Sequence, residues 1–239
     1  MTDNKIKIYD NFLAKNVSAL YLRALQNRRN LWQKRNTADD FRNGEWFTVG
    51  GSCYLDLVSE EKFPDYLKSV SYWREIFTKD AFLMSLIIDI QYSLNRIDHF
   101  KNKPILFLAE YLESVNYPGL HIFPGFDSSV AAFGKMHRDL QYEGLLKIPE
   151  VKDFFEGKQI EEHISFTIPL QLPYMGGGLV VLDGKEEEYI EYKERSLYIH
   201  SGDFEHMIAP FTSPVLQGDQ RVTVQGHGIV TKDAVYLYW

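Results

Sequence analysis

The chain has 239 residues, 45% of them apolar and 25% charged, which suits one globular domain with a sizeable core and excludes a disordered or fibrous protein. Its formal charge of −7 excludes a general nucleic-acid binder, which needs basic surface to neutralise phosphates. With one cysteine, Cys53, and an opening MTDNKIKIYD that lacks the apolar stretch of a signal peptide, a cytoplasmic protein without internal disulfides is expected.

A mainly helical preface over 1–103 is expected to lead into a β core over 104–239, the two making a single domain. Leu13, Val17, Leu20, Leu22 and Leu25 recur near helical spacing and predict a helix over 12–33. The basic group Arg28, Arg29, Lys34 and Arg35 near its end reads as a solvated helix end or a small binding patch. Further helices are predicted over 63–77 and 79–97, the latter with Phe82, Leu83, Leu86, Ile87, Ile90 and Leu94 in a broad apolar stripe. The most apolar run, 81–88, stops at Asp89 and is too short to cross a bilayer. No membrane partner is expected.

From Pro104 onward, short β-rich runs are separated by Gly, Pro and Asp turn signals. Strands are predicted over 105–111, 119–123, 164–172, 178–182, 189–192, 196–200, 206–210, 221–230 and 235–238, with Asp183-Gly184 as a hairpin turn. About eight antiparallel strands after a helical preface predict a mainly β fold, the double-stranded β-helix or jelly roll of cupin-like proteins, buttressed by helices. Gly176-Gly177-Gly178 is followed by no helix, so it reads as a strand entry needing close backbone approach and not as a phosphate cradle.

His137-Arg138-Asp139 places an imidazole and a carboxylate two residues apart, on one face if the segment is extended. With seven His and 33 acidic residues, such a pair arises about once by chance, so alone it says little. Downstream, a turn at 201–205 leads to His206 at the head of an apolar strand, a candidate third ligand. Two imidazoles and a carboxylate on one face of an octahedral ion leave three positions open, as in non-haem Fe(II) oxygenases, and these suit a bidentate 2-oxo acid and O2. In the next strand Arg221, Thr223, Gln225 and His227 share one face. Arg221 has the chemistry to clamp a distant carboxylate, with Thr223 adding a hydroxyl; the other reading is an exposed edge strand with a polar outer face.

Taken in order, His137-x-Asp139, His206 and Arg221-x-Thr223 resemble the signature of Fe(II)/2-oxoglutarate oxygenases. Pro118-Gly-Leu-His-Ile-Phe123, Met136-His-Arg-Asp-Leu-Gln-Tyr142 and Ser201-Gly-Asp-Phe-Glu-His206 are similar to segments of small bacterial enzymes that halogenate or hydroxylate free amino acids, notably lysine. The resemblance covers roughly the last 140 of the 239 residues, and the helical preface and length agree in outline. It implies Fe(II), 2-oxoglutarate and O2 as cofactor and co-substrates, and a small amino acid, most readily L-lysine, as substrate. The family's halogenases carry Gly or Ala where this chain has Asp139, so the resemblance implies the hydroxylase branch. It also implies that Arg74, in Ser71-Tyr-Trp-Arg-Glu75, holds the substrate carboxylate; a surface arginine paired with Glu75 or Asp80 is the other reading. An oxygenase acting on a peptide, nucleobase or other metabolite, and a non-enzymatic cupin-like binder, remain the alternatives.

His121 either lines the pocket or is a core histidine. The terminal Trp239 either caps the pocket or packs the last strand. Glu113 and Asp127 could meet an amine, although nothing singles them out among 33 acidic residues. His200 reads as structural, and His99 and His163 as solvated residues at element ends.

Overall fold

The structure, a computed structural model, describes residues 6–35, 46–57, 59–124, 131–212 and 220–239. In chain order its elements begin with strand β1 (Ile6–Tyr9), helix α1 (Lys15–Gln26) and strands β2 (Gln33–Arg35) and β3 (Trp46–Val49). Helices α2 (Cys53–Asp56), α3 (Phe63–Lys79) and α4 (Ala81–Leu94) follow, then β4 (Ile105–Phe107), β5 (Gly119–Pro124) and β6 (Ala131–His137). Short helices α5 (Gln141–Leu145) and α6 (Pro149–Phe155) precede the long strand β7 (Ile160–Gln171). The remainder is β8 (Met175–Gly176), β9 (Leu179–Asp183), β10 (Glu186–Ile190), β11 (Leu197–His200), β12 (His206–Thr212), β13 (Gln220–Thr231) and β14 (Val235–Tyr238). No helix among the described residues is long and apolar enough to cross a membrane.

The contacts group into two compact units, each taking chain from before and after residue 104. One comprises Met1–Val49, Leu120–Asp139 and Phe166–Val224; the other comprises Gly50–Gly119, Leu140–Ser165 and Gln225–Trp239.

The first unit is an antiparallel β-sandwich. One sheet runs β11-β7-β13-β5, with β1 added beside β11 and β3 then β2 added beyond β5; the other runs β10-β9-β12-β6, with β8 beside β12. Because the chain passes back and forth between these two orders, the path is the jelly roll expected from the strand count. Ile6, Leu179, Val181, Tyr192, Tyr198 and Phe204 form an apolar cluster drawn from both sheets, and Phe123 meets Phe211 edge-on at 6.2 Å. The predicted hairpin is present: Asp183 pairs with Glu186, and Gly184 turns with φ +70°. The predicted helix over 12–33 ends early, at Gln26, and the chain becomes β2, whose Gln33, Lys34 and Arg35 pair with Thr48, Phe47 and Trp46. Helical periodicity cannot register such a pairing, since it depends on residues far along the chain.

The second unit holds the predicted helices 63–77 and 79–97, found as α3 and α4. Asp80 divides them: its backbone N–H closes the last turn of α3 on Ile76, while its carboxylate accepts from the Phe82 and Leu83 N–H groups at 3.0 and 3.2 Å. That is an N-cap, which satisfies otherwise orphaned donors of the next helix. Strand 105–111 is shorter than predicted, because β4 pairs with β14 only as far as Phe107 and the chain then tightens into a 3-10 turn. The Trp239 ring is completely buried. It lies so close to Gly119 that a Cβ there would fall 1.9 Å from the indole, so only glycine fits.

Candidate active site

β12 lies between β9 and β6 and brings His206 directly opposite His137, with Val181 on its other side. Side chains of residues paired in this way stand close together on one face, and the two imidazole rings are 4.6 Å apart. Asp139 joins them by a different route from the one expected. β6 stops at His137, so strand alternation does not carry the carboxylate; the Asp139 N–H instead donates to the Gly202 carbonyl at 2.8 Å. That bond ties Asp139 to the turn leading into His206. Its carboxylate then sits 3.6 Å from His137 Nε2 and 3.4 Å from His206 Nε2. The three ligand-type atoms all lie within 4.8 Å of one another.

Burial grades across this group. The His206 side chain is 5% exposed, Asp139 11% and His137 50%, so the centre opens on the His137 side. The Nδ1 of His206 lies 3.0 Å from the Phe204 carbonyl, which can only accept; Nδ1 therefore carries a hydrogen, and Nε2, facing Asp139, is the nitrogen left for a metal once its own proton is displaced. Burial alone would lower the His206 pKa, but the hydrogen bond and charge of Asp139, with the Phe204 carbonyl, outweigh it and hold the pKa above 6.5. Two nitrogen donors and one carboxylate on a half-open face fit a divalent transition metal with exchangeable positions.

Arg221 and Thr223 belong to the same unit. β13 runs between β7 and β5, so the edge-strand reading of its polar face is overturned: Arg221 is 1% exposed and Thr223 is fully buried. The guanidinium is fixed by Nε donating to the Gly177 carbonyl at 2.8 Å and Nη1 to the Thr223 hydroxyl at 3.5 Å. It lies 5.5 Å from the Phe123 ring and 5.8 Å from the Tyr192 ring, between two aromatic faces. Burial pushes the Tyr192 phenol up, against the opposing influence of Arg221 and of its hydrogen bond to Thr167. Tyr192 was not among the sequence candidates, as nothing in its local pattern separates it from the other 14 tyrosines of the 15 present.

The other candidates are distributed over both units. His121 is 4% exposed in the first unit, edge-on to Trp46 at 5.1 Å and to Phe123 at 6.1 Å; it is part of the aromatic cluster whose Phe123 backs Arg221. Arg74 is in the second unit, and its Nη1 donates to the carbonyls of Ala109, Leu112 and Val115. Of the partners proposed for it as a surface residue, Glu75 pairs with Lys79 and Asp80 caps α4. Trp239, buried against Gly50 and Gly119, packs the end of the last strand. Glu113 is exposed in the second unit, with its backbone N–H on Glu150, and Asp127 lies outside the described residues. His99 and His163 are corrected: the His99 side chain is 6% exposed beside Glu162, and His163 stacks on Tyr142 at 3.5 Å, burial lowering its pKa.

No protein-family model and no curated protein matches the chain. Among solved structures it is similar to a Pseudomonas putida prolyl-4-hydroxylase, with 14% identity, 95% of this chain and 94% of that chain covered, and a TM-score of 0.43. It is also similar to a 2OG-Fe(II) oxygenase family oxidoreductase from Burkholderia pseudomallei, with 16% identity, coverages of 99% and 85%, and a TM-score of 0.46. A third likeness is to the non-heme alpha ketoglutarate dependent epimerase SnoN from nogalamycin biosynthesis, at 9% identity, coverages of 93% and 76%, and a TM-score of 0.48. All three likenesses are distant.

Proposed function

We propose that this chain is an Fe(II)- and 2-oxoglutarate-dependent oxygenase that hydroxylates a free amino acid, with L-lysine as the first substrate to test. The observation that carries the oxygenase reading is the convergence of His137, Asp139 and His206 within 4.8 Å in a jelly roll whose interior strand β13 buries Arg221. The amino-acid and lysine parts rest on the resemblance of the segments around His121, His137 and His206.

His137, Asp139 and His206 would hold the iron, which with 2-oxoglutarate and O2 supplies the oxidising power to turn one C–H bond into C–OH while releasing succinate and CO2. The chain's own contribution is orientation and exclusion of water. The Phe204 carbonyl holds the hydrogen on Nδ1 of His206 and so leaves Nε2 for the metal. Gly202 holds Asp139 by its backbone. Arg221, stiffened by Gly177 and Thr223 and flanked by Phe123 and Tyr192, offers a planar fork to the far carboxylate of the 2-oxo acid. Asp139 standing where the related halogenases have Gly or Ala favours hydroxylation, since its carboxylate takes the place a halide would need. On the resemblance, Arg74 is the residue we assign to the substrate carboxylate.

The test is anaerobic loading with Fe(II), then addition of O2, 2-oxoglutarate and each of the twenty amino acids in turn, following succinate and the mass of the amino acid. Lysine should raise succinate release and gain one oxygen. Succinate release coupled to none of the twenty would remove the amino-acid assignment, and no 2-oxoglutarate consumption under any condition would remove the oxygenase reading.

A further inference from the structure

Two buried histidines flank Asp139, and their Nδ1 atoms have opposite partners, an acceptor for His206 and a donor for His200. His206 has a hydrogen on Nδ1, toward the Phe204 carbonyl. His200, 5% exposed at the end of β11, does the reverse: its Nδ1 accepts the Gly202 N–H at 3.1 Å. A neutral imidazole that accepts at Nδ1 must carry its hydrogen on Nε2. That Nε2 lies 4.0 Å from Asp139 Oδ2, and the ring centre is 4.8 Å from that of His206. Beside one carboxylate, His200 therefore presents an Nε2–H that cannot be given up without losing the Gly202 bond, whereas the Nε2 of His206 is free to release its proton to a metal.

Resting on the reading that His137, Asp139 and His206 bind a metal, we propose that His200 is a positioning residue: its Nε2–H orients the Asp139 carboxylate, and its tautomer keeps it from becoming a fourth ligand. At 4.0 Å the contact is longer than a direct hydrogen bond, so it acts as an oriented N–H dipole in a low-dielectric setting, where such effects are strengthened. Gly202 links the parts. Its N–H sets the His200 tautomer while its carbonyl receives the Asp139 N–H, and its φ of +77° lies in the region that favours glycine. Were His200 to ligate through Nε2, its hydrogen would have to move to Nδ1 and the Gly202 bond would be lost. The centre is thus kept at three protein ligands, with the remaining positions free for co-substrates.

The experiment uses the whole chain with Co(II) as the probe, reading its dissociation constant by calorimetry and its visible absorption, alongside the melting temperature of the metal-free protein. His200→Gln keeps an N–H donor near the Nε2 position; His200→Asn keeps only an acceptor near Nδ1 for Gly202; His200→Phe keeps neither. We expect His200→Gln to bind Co(II) within about threefold of wild type, and His200→Asn and His200→Phe to bind roughly tenfold more weakly, the lower end of what outer partners of metal ligands contribute. Rescue by Asn and not by Gln would overturn the inference, because the turn and not the donor would then be what matters. So would unchanged affinity in all three, or a His200→Gln spectrum that loses intensity as fully as His206→Ala, which would make His200 a ligand. If His206→Ala and Asp139→Ala both leave Co(II) binding intact, the metal-site reading itself fails, a result distinct from these.

Discussion

Replacing Arg221 by lysine keeps the positive charge inside the sandwich but removes the planar fork. A lysine has no Nε to donate to the Gly177 carbonyl, a bond of 2.8 Å, and cannot present two parallel N–H groups to a carboxylate. A hydrogen bond involving a charged group contributes about 1.5–3 kcal/mol. Loss of one such bond in Arg221→Lys should therefore weaken 2-oxoglutarate binding by roughly ten- to a hundredfold. Arg221→Ala loses both bonds, so about 3–6 kcal/mol, and the effect rises to roughly a hundred- to ten-thousandfold. The alanine variant also leaves the buried Gly177 carbonyl and Thr223 hydroxyl without this donor, which costs stability of about 1–3 kcal/mol; the lysine variant is the cleaner measure. The assay is calorimetric titration of 2-oxoglutarate into Fe(II)-loaded protein without O2, with the melting temperature taken on the same samples. An Arg221→Lys affinity within about threefold of wild type would refute the assignment of Arg221 to the co-substrate.

Asp139→Gly should lose most hydroxylation and, when chloride is supplied, gain some chlorinated product, visible as the mass change of the amino acid; full retention of hydroxylation would mean that Asp139 is no ligand. The raised pKa of His206 has two consequences of opposite sign. In metal-free protein the His206–Asp139 attraction stabilises the fold below the ordinary histidine value of 6.5 and is lost as pH rises through the folded value, so the melting-temperature difference between wild type and His206→Gln should shrink with rising pH. Co(II) binding must displace that proton, so affinity should rise with pH and level off above the folded pKa. Gly119→Ala forces a methyl against the fully buried Trp239 indole, 1.9 Å away, and should cost the upper end of about 1–3 kcal/mol in urea unfolding. Trp239→Ala should cost about 3–5 kcal/mol through the cavity it leaves, and the double variant should fall short of the sum, because removing the indole relieves the clash.

The long amphipathic runs of α3 and α4 and the alternating strands β5, β9, β11 and β13 were legible because their patterns are local: period 3.6 or 2 with turn residues at the ends. The N-terminal strands β1, β2 and β3 were not. Each is three or four residues long and exists through pairing with distant chain, as Ile6 does with His200 and Val49 with Leu120. β6, which ends in His137, was missed as well, although its final residues were singled out for their chemistry. Tyr192 was read as a strand end and His200 as structural; that the fold brings Arg221 beside the one and Asp139 beside the other could not be read from their local patterns.

Which side chains to follow could be read from order alone: His137, Asp139, His206, Arg221 and Thr223 occur in a succession that chance seldom supplies, and the first, second and third of them do converge. How they meet could not. The cross-strand register that sets His206 against His137 and the single Gly202 peptide that draws in Asp139 are contacts between segments far apart in the chain. So are the aromatic faces of Phe123 and Tyr192 around Arg221. Hydrogen-bond pairing and packing decide them only when the sheets close, since no short stretch of chain contains both partners.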